Sequence, residues 1–316
     1  MSLRAPNWDT DGRDWPNRTS SRFVEAGGLR WHVQLLGAGP LVLLLHGTGA
    51  STHSWRDVAP QLARTFHVVA VDLPGHGFSE ATSDWTLPGM VAALASLLRA
   101  LAVDVQVVVG HSAGAAIALY AIMRGAFEPR AFVSFNGAFV PFGGRLEPLL
   151  SPAARVLSWR ALPRIVSARA RQGGVERIVA GTGSRLDARG LELYQRLIER
   201  PAHVASSLSM MAHWNLRLLD GGFALVQTPA LFVAASHDRA VPPHQAREVA
   251  ARLPRGRVHV MAGLGHLAHE EAPNQAGELV FPRAAWRKLG REKVVSEARD
   301  AVRRYLRRRD REMGRL

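Results

Sequence analysis

Leu41–Leu45, His67–Asp72 and Val105–Val109 are short, almost unbroken apolar runs, and each opens into a loop rich in glycine. The three loops read His46-Gly47-Thr48-Gly49, Leu73-Pro74-Gly75-His76-Gly77-Phe78-Ser79 and Gly110-His111-Ser112-Ala113-Gly114. Runs that lack alternating polar positions suit strands covered on both faces. Ala131–Asn136, Ala230–Ala235 and Arg257–Met261 repeat the pattern, and helical spacing fills the intervals at Met90–Leu101 and Ala113–Arg124. This alternation predicts an α/β architecture with a mostly parallel, doubly wound sheet. Upstream, Phe23–Glu25 and Arg30–Leu36 flank Gly27-Gly28, a hairpin signal.

The rhythm breaks over residues 139–221. No buried strand is visible there; the helical pieces Ala153–Trp159 and Leu191–Arg200 are punctuated by Gly143-Gly144, Gly173-Gly174 and Gly181-Thr182-Gly183. The 316 residues are about twice the ~150 typical of one domain. The predicted organisation is therefore a discontinuous core, 1–138 and 222–316, interrupted by a helical insertion over 139–221. At the end of the chain Ala298, Ala301, Val302, Tyr305 and Leu306 follow the spacing of an amphipathic helix, with Arg303, Arg304, Arg307, Arg308 and Arg311 mostly on its other face.

Composition narrows the chemistry. The chain has no cysteine, which removes a cysteine nucleophile, disulfides, thiolate zinc sites and iron–sulfur clusters. The net charge of +14 is confined to 139–220, with 12 basic and 6 acidic residues, and 283–316, with 13 and 5. A basic surface suits anionic lipid, an acidic protein or nucleic acid. No helix-turn-helix, zinc finger or aromatic-studded basic sheet accompanies the charge, so no nucleic-acid partner is expected. Of the 40 basic residues, 38 are arginine, which points to genomic composition as the main source of the charge. The N-terminus has no apolar segment of signal-peptide length, and a cytoplasmic protein, at most peripheral to a membrane, is expected.

In open α/β sheets function gathers at the carboxyl ends of the strands. Gly110-His111-Ser112-Ala113-Gly114 is a G-x-S-x-G sequence between a strand and a helix, the setting of a nucleophile on a strained turn. A serine hydroxyl needs a general base, and His266 in Gly263-Leu264-Gly265-His266, after the last strand, supplies one. His269 is its nearest rival but sits where a helix starts. Asp238, after the fifth of the six apolar runs and 28 residues before His266, completes the order serine, acid, histidine. The expected oxyanion donors are the backbone N–H groups of Ala113 and Thr48.

Taken together, HGTG, DLPGHGFS, GHSAG, SHDRAVP and GLGHLAHEEAP, in that order over about residues 22–275, resemble the α/β-hydrolase superfamily. Within it the chain is most similar to the magnesium chelatase accessory proteins of bacteriochlorophyll biosynthesis, through NWDTDGRDWPNR, LLLHGTGASTHSWRDV and a Met-Met-Ala-His-Trp-Asn stretch. The resemblance implies an α/β-hydrolase fold with a helical cap, a Ser112–Asp238–His266 triad and no cofactor or metal. Some members carry the acid one strand earlier; here that place holds Asn136, which cannot bear the charge. The implied partners are a small molecule such as a porphyrin or its ester, and a magnesium chelatase subunit; the basic C-terminal helix offers an anionic membrane surface as a third. His111, Phe139, Met210, Met211 and Trp214, with Phe142, are candidates for a substrate pocket, against cap–core packing as the plainer role. A non-catalytic porphyrin- or chelatase-binding protein on the same fold, and a general carboxylesterase or other acyl or C–C bond hydrolase, are the rival readings. Members usually end soon after the helix that follows the histidine, whereas 276–316 here is longer and very basic.

Overall fold

The computed structural model describes residues 3–140, 162–168 and 174–280. The helices expected over Ala153–Trp159 and Ala298–Leu306, the basic C-terminal face and Phe142 lie outside the described residues.

Eight strands form one sheet: β1 (Ser21–Ala26), β2 (Leu29–Leu36), β3 (Leu41–Leu45), β4 (His67–Val71), β5 (Val105–His111), β6 (Ala131–Phe135), β7 (Ala230–Ala235) and β8 (Gly256–Met261). Their spatial order is β1-β2-β4-β3-β5-β6-β7-β8. β1 and β2 join the sheet antiparallel and all later pairings are parallel. The β1–β2 turn uses Gly27 and Gly28 at φ 59° and 77°, the two left-handed residues a tight hairpin requires. From β3 the chain passes to β4 on one side and returns to β5 on the other. The carboxyl ends of β3 and β5 therefore face each other across the point where strand order reverses, the usual ligand crevice of an open α/β sheet.

Both faces of the sheet are buried, which accounts for the continuous apolar runs. Leu41, Leu43, Leu45, Val69, Val71 and Val108 pack beneath α3 (Leu87–Ala100) and α4 (Ala113–Met123). Val42, Leu44, Val68, Ala70, Val107 and Val109 pack on the opposite side with Trp55, α2 (Val58–Leu62) and the helix ending at Val280. α3 buries Leu87, Met90, Val91, Leu94, Leu97 and Leu98, a 3.6-residue stripe, and the Thr86 hydroxyl caps it by accepting the Gly89 N–H at 3.1 Å. α4 is apolar all round and buries eight of its eleven residues, as befits a helix held between the sheet and its neighbours.

Two regions complete the molecule. The N-terminal segment, for which the sequence predicts no element, forms α1 (Trp8–Asp11), capped by the Asn7 side chain. Between β6 and β7 the described insertion is helical, as expected: α5 (Val175–Gly181), α6 (Ala188–Ile198) and α7 (Pro201–His213). The N-terminal segment binds this insertion through ion pairs of Asp11 with Arg200, and of Asp14 with Arg189 and Arg196. Trp15 packs with Phe78 of the core and Leu193 and Leu197 of α6, and its indole N–H donates to Thr52 at 3.2 Å. Beyond β7 lie α8 (His244–Ala250), α9 (Ala268–Glu271) and α10 (Pro273–Val280). No helix among the described residues is long and apolar enough to cross a membrane.

Candidate active site

Ser112 stands between β5 and α4 with φ 50° and ψ −114°, a conformation that costs a non-glycine residue on the order of 1–3 kcal/mol. The flanking glycines make this turn possible. A Cβ at Gly114 would collide with the carbonyls of Leu45 and His46, and one at Gly110 would collide with the Ala115 backbone. α4 can therefore begin in direct contact with the end of β3 only where side chains are absent. Gly47, on the facing loop, closes the same gap: a Cβ there would lie 3.1 Å from Ser112 Cβ and 2.7 Å from His111 Nδ1.

Asp238 is buried at the end of β7, and its carboxylate is fully used. Oδ1 accepts the N–H groups of Ala240 and Val241, both at 2.8 Å. Oδ2 accepts the Asn136 amide at 2.7 Å and meets His266 Nδ1 at 2.8 Å. A carboxylate only accepts, so the histidine proton sits on Nδ1 and Nε2 is left as a base. Among the described residues Ser112 Oγ has no hydrogen-bond partner, so the serine–histidine bond is not formed in this conformation. Catalytic hydrogen bonds of unliganded enzymes commonly close only with substrate. The Ala113 N–H opens α4 and, like every first helical N–H, has no acceptor within its helix. Thr48 lies in the turn Gly47–Ala50, closed by the Ala50 N–H on the Gly47 carbonyl at 3.1 Å.

The structure reassigns most of the candidate pocket residues. His111 is buried beneath the site, with Nε2 3.0 Å from the His266 carbonyl and its ring tilted against those of His266, at 4.8 Å, and His269, at 4.4 Å. Burial holds its pKa well below the usual histidine value, so it is a neutral support for the histidine loop. Phe139 is core, edge-on to Phe232 at 5.5 Å. Met210 is buried and accepts the Thr48 hydroxyl on its sulfur at 3.8 Å, whereas Met211, one residue on, is 55% exposed. Trp214 packs on the apolar cluster of α3 and α4. Met210 alone of these reaches the Gly47–Ala50 turn in the contacts described. His269 is fully buried on α9, with Nε2 2.8 Å from the Ser54 hydroxyl, which excludes it as the base.

Two contributions escape sequence reasoning. Asn136, weighed only as a failed acid, adopts φ 48° at the end of β6 and donates its amide to the Asp238 carboxylate. The stretch Thr182–Ser184, between α5 and α6, supports both loops of the pair. The Thr182 carbonyl accepts the N–H of Arg239 at 3.0 Å and of His266 at 3.4 Å, and Ser184 Oγ accepts the Leu267 N–H at 2.8 Å. Gly183 and Gly265 pack so closely on the His237 carbonyl and on each other that neither tolerates a Cβ. The only local signal was the Gly-Thr-Gly run itself, which marks a tight approach without saying to what.

A mainly parallel sheet whose switch point holds a serine elbow, followed by an aspartate–histidine pair after the last two strands, defines a class of protein, and comparison agrees. The chain belongs to the α/β hydrolase family, whose model matches residues 42–278. It is 36% identical over 275 residues to the magnesium-chelatase 30 kDa subunit of Rhodobacter capsulatus, covering 85% of this chain and 95% of that protein. A pimeloyl-(acyl-carrier protein) methyl ester esterase of Xanthomonas campestris is 29% identical over 249 residues, covering 74% and 91%. The crystal structure of an α/β hydrolase fold protein from Burkholderia ambifaria superposes with a TM-score of 0.70 at 25% identity, covering 83% of this chain and 97% of that one.

Proposed function

We propose that the chain is a serine hydrolase that serves bacteriochlorophyll biosynthesis near magnesium insertion, with a porphyrin or its ester as substrate and a magnesium chelatase subunit as partner. In this reading residues 139–221 form a cap on a core of 1–138 and 222–316. The observation that carries the chemistry is the 2.8 Å contact of Asp238 with His266 Nδ1, which leaves Nε2 as the basic nitrogen, together with the strained elbow conformation of Ser112. Ser112 Oγ attacks a carbonyl carbon while its proton passes to His266 Nε2. The oxyanion accepts the N–H groups of Ala113 and Thr48. His266 then gives the proton to the leaving group, and water, deprotonated by the same nitrogen, releases the acyl group from Ser112. The pathway assignment rests on similarity to the magnesium-chelatase 30 kDa subunit.

The unformed Ser112–His266 bond favours one second reading, a binding protein on a hydrolase fold. A fluorophosphonate probe separates the two. It should label the wild-type protein and not Ser112→Ala, whose hydrolysis of short acyl esters should fall by about 10⁴–10⁶ with thermal unfolding unchanged. An unlabelled wild type would overturn the hydrolase reading. In cells, a Ser112→Ala strain should accumulate the same pigment precursors as a deletion strain; restored pigment would assign the pathway role to binding.

A further inference from the structure

The α7 helix of the β6–β7 insertion turns one face toward the oxyanion loop. His203, Ser207 and Met210 lie at i, i+4 and i+7, on one side of the helix. Met210 takes the Thr48 hydroxyl on its sulfur, and Ser207 Oγ lies 3.3 Å from Nε2 of the buried His76. His203 is 1% exposed and makes two directional bonds to backbone. Its Nδ1 accepts the Gly77 N–H at 3.2 Å, and its Nε2 lies 3.1 Å from the Gly49 carbonyl. A carbonyl cannot donate, so Nε2 carries the proton and the ring is fixed in a single neutral tautomer.

The bond to Gly49 bears on catalysis through the turn it grips. The peptide unit of Gly49 and Ala50 bears the carbonyl that His203 holds, and its N–H donates to the Gly47 carbonyl at 3.1 Å. That Gly47 carbonyl belongs to the same planar peptide unit as the Thr48 N–H. Gly49 adopts φ 78° and has no side chain, so this half of the turn is held through its carbonyl, as the Thr48 half is held through the hydroxyl on Met210. We infer that His203 is a positioning residue for the oxyanion donor: by clamping the Gly49 carbonyl it fixes the peptide plane from which Thr48 N–H points at the developing negative charge. The inference rests on the serine hydrolase reading above.

Two substitutions divide the ring. In asparagine the amide oxygen falls where Nδ1 was, keeping the acceptor for Gly77 and losing the donor to Gly49. In glutamine the amide nitrogen falls where Nε2 was, keeping the donor to Gly49 and losing the acceptor. Fluorophosphonate labelling rates and short-ester kinetics are measured on the full chain. His203→Asn should lower the labelling rate and kcat by about tenfold or more with KM unchanged, and His203→Gln should stay within about threefold of wild type. A purely structural role would lower the unfolding temperature of both without separating them. Equal rates for His203→Asn and wild type, or equal losses in the two variants, would overturn the inference. Should His203→Asn not fold, the wild type carries the test: the His203 Nε2–H proton resonance should shift when Ser112 is phosphonylated, and an unmoved resonance overturns the clamp. A wild type that does not label at all defeats the hydrolase reading instead, so the two failures are distinguishable.

Discussion

Among the described residues there are two buried aspartate–histidine pairs with nearly equal contact distances. Asp72, after β4, meets His32 Nδ1 at 2.7 Å and also accepts the N–H groups of Thr52 and Phe78. Asp238, after β7, meets His266 Nδ1 at 2.8 Å and accepts the N–H groups of Ala240 and Val241. The difference lies in what surrounds the imidazoles. His32 is on a strand, fully buried among Trp8, Phe23 and Phe78, and its Nε2 has no hydrogen-bond partner among the described residues. His266 is on the loop after β8 at the carboxyl end of the sheet, with its ring 4.8 Å from that of His111, the residue before Ser112. An aspartate–histidine contact is thus not a catalytic feature in itself. The two differ in place: Asp238 and His266 lie on the loops after β7 and β8 at the carboxyl end of the sheet, whereas the Asp72–His32 contact staples the end of β4 to β2.

Substitutions should separate the two pairs sharply. Asp238→Asn should cost about 10⁴ in kcat, because the amide favours the wrong imidazole tautomer, while the unfolding transition moves little. Steady-state ester hydrolysis together with calorimetry reads both quantities. Asp72→Asn should do the reverse. Removing one partner of a buried pair costs about 3–5 kcal/mol of stability by denaturant titration, with the labelling rate of the folded fraction unchanged. The Asp72 carboxyl, despite its burial, is held below the usual carboxylate range by His32, His46 and the Phe78 N–H, so its charge is part of the native state.

A smaller effect tests the orientation of the catalytic pair. Asn136→Ala removes one of the bonds to Asp238 Oδ2 and should lower kcat by about tenfold, comparable to loss of a charge-assisted hydrogen bond of about 1.5 kcal/mol. If it were more damaging than Asp238→Asn, the acid would have been misassigned.

The smallest effect per residue is that of pH. Burial holds His53, His76 and His111 well below the usual histidine pKa, and lowers His203 to about 4 and His269 to about 3. Groups with depressed folded-state values contribute stability that is present above 6.5 and lost as pH falls from there toward 4. Glu270 works in the opposite direction: burial raises its carboxyl to about 7 against hydrogen bonds from Ser54, Tyr194 and Arg56, so its contribution fades as pH rises through 7. The histidines outnumber it, and the urea midpoint should peak near pH 6.5–7 and fall steeply on the acid side. A midpoint flat down to pH 4.5 would contradict this assignment of neutral imidazoles.

Much of the core was legible in sequence because its signals are local. A strand buried on both faces must be apolar throughout, as Leu41–Leu45 is, and a turn pressed against a neighbouring strand must be glycine, as Gly110 and Gly114 are. The candidates Ser112, His266 and Asp238 could be picked out for the same reason: each lies on a loop that follows a strand with a plain apolar run. Asn136, Thr182, Ser184 and His203 were not. Their partners lie dozens of residues away, and nothing in a short polar side chain or a backbone carbonyl records a distant contact. Met210 and Met211 show the limit at its finest grain. Adjacent in sequence and about 100° apart around α7, one is buried against Thr48 and the other is exposed to solvent. The acidic residues of the N-terminal segment were visible only as a motif until the arginines of α6 and α7 supplied their meaning.

The carbonyl oxygen of Thr182 receives two N–H groups, one from the loop of the acid and one from the loop of the base. A movement of the insertion that withdraws this oxygen loosens both loops in the same step. Acid and base are thereby tethered to one fulcrum. The helical region between β6 and β7 thus meets both loops at a single atom.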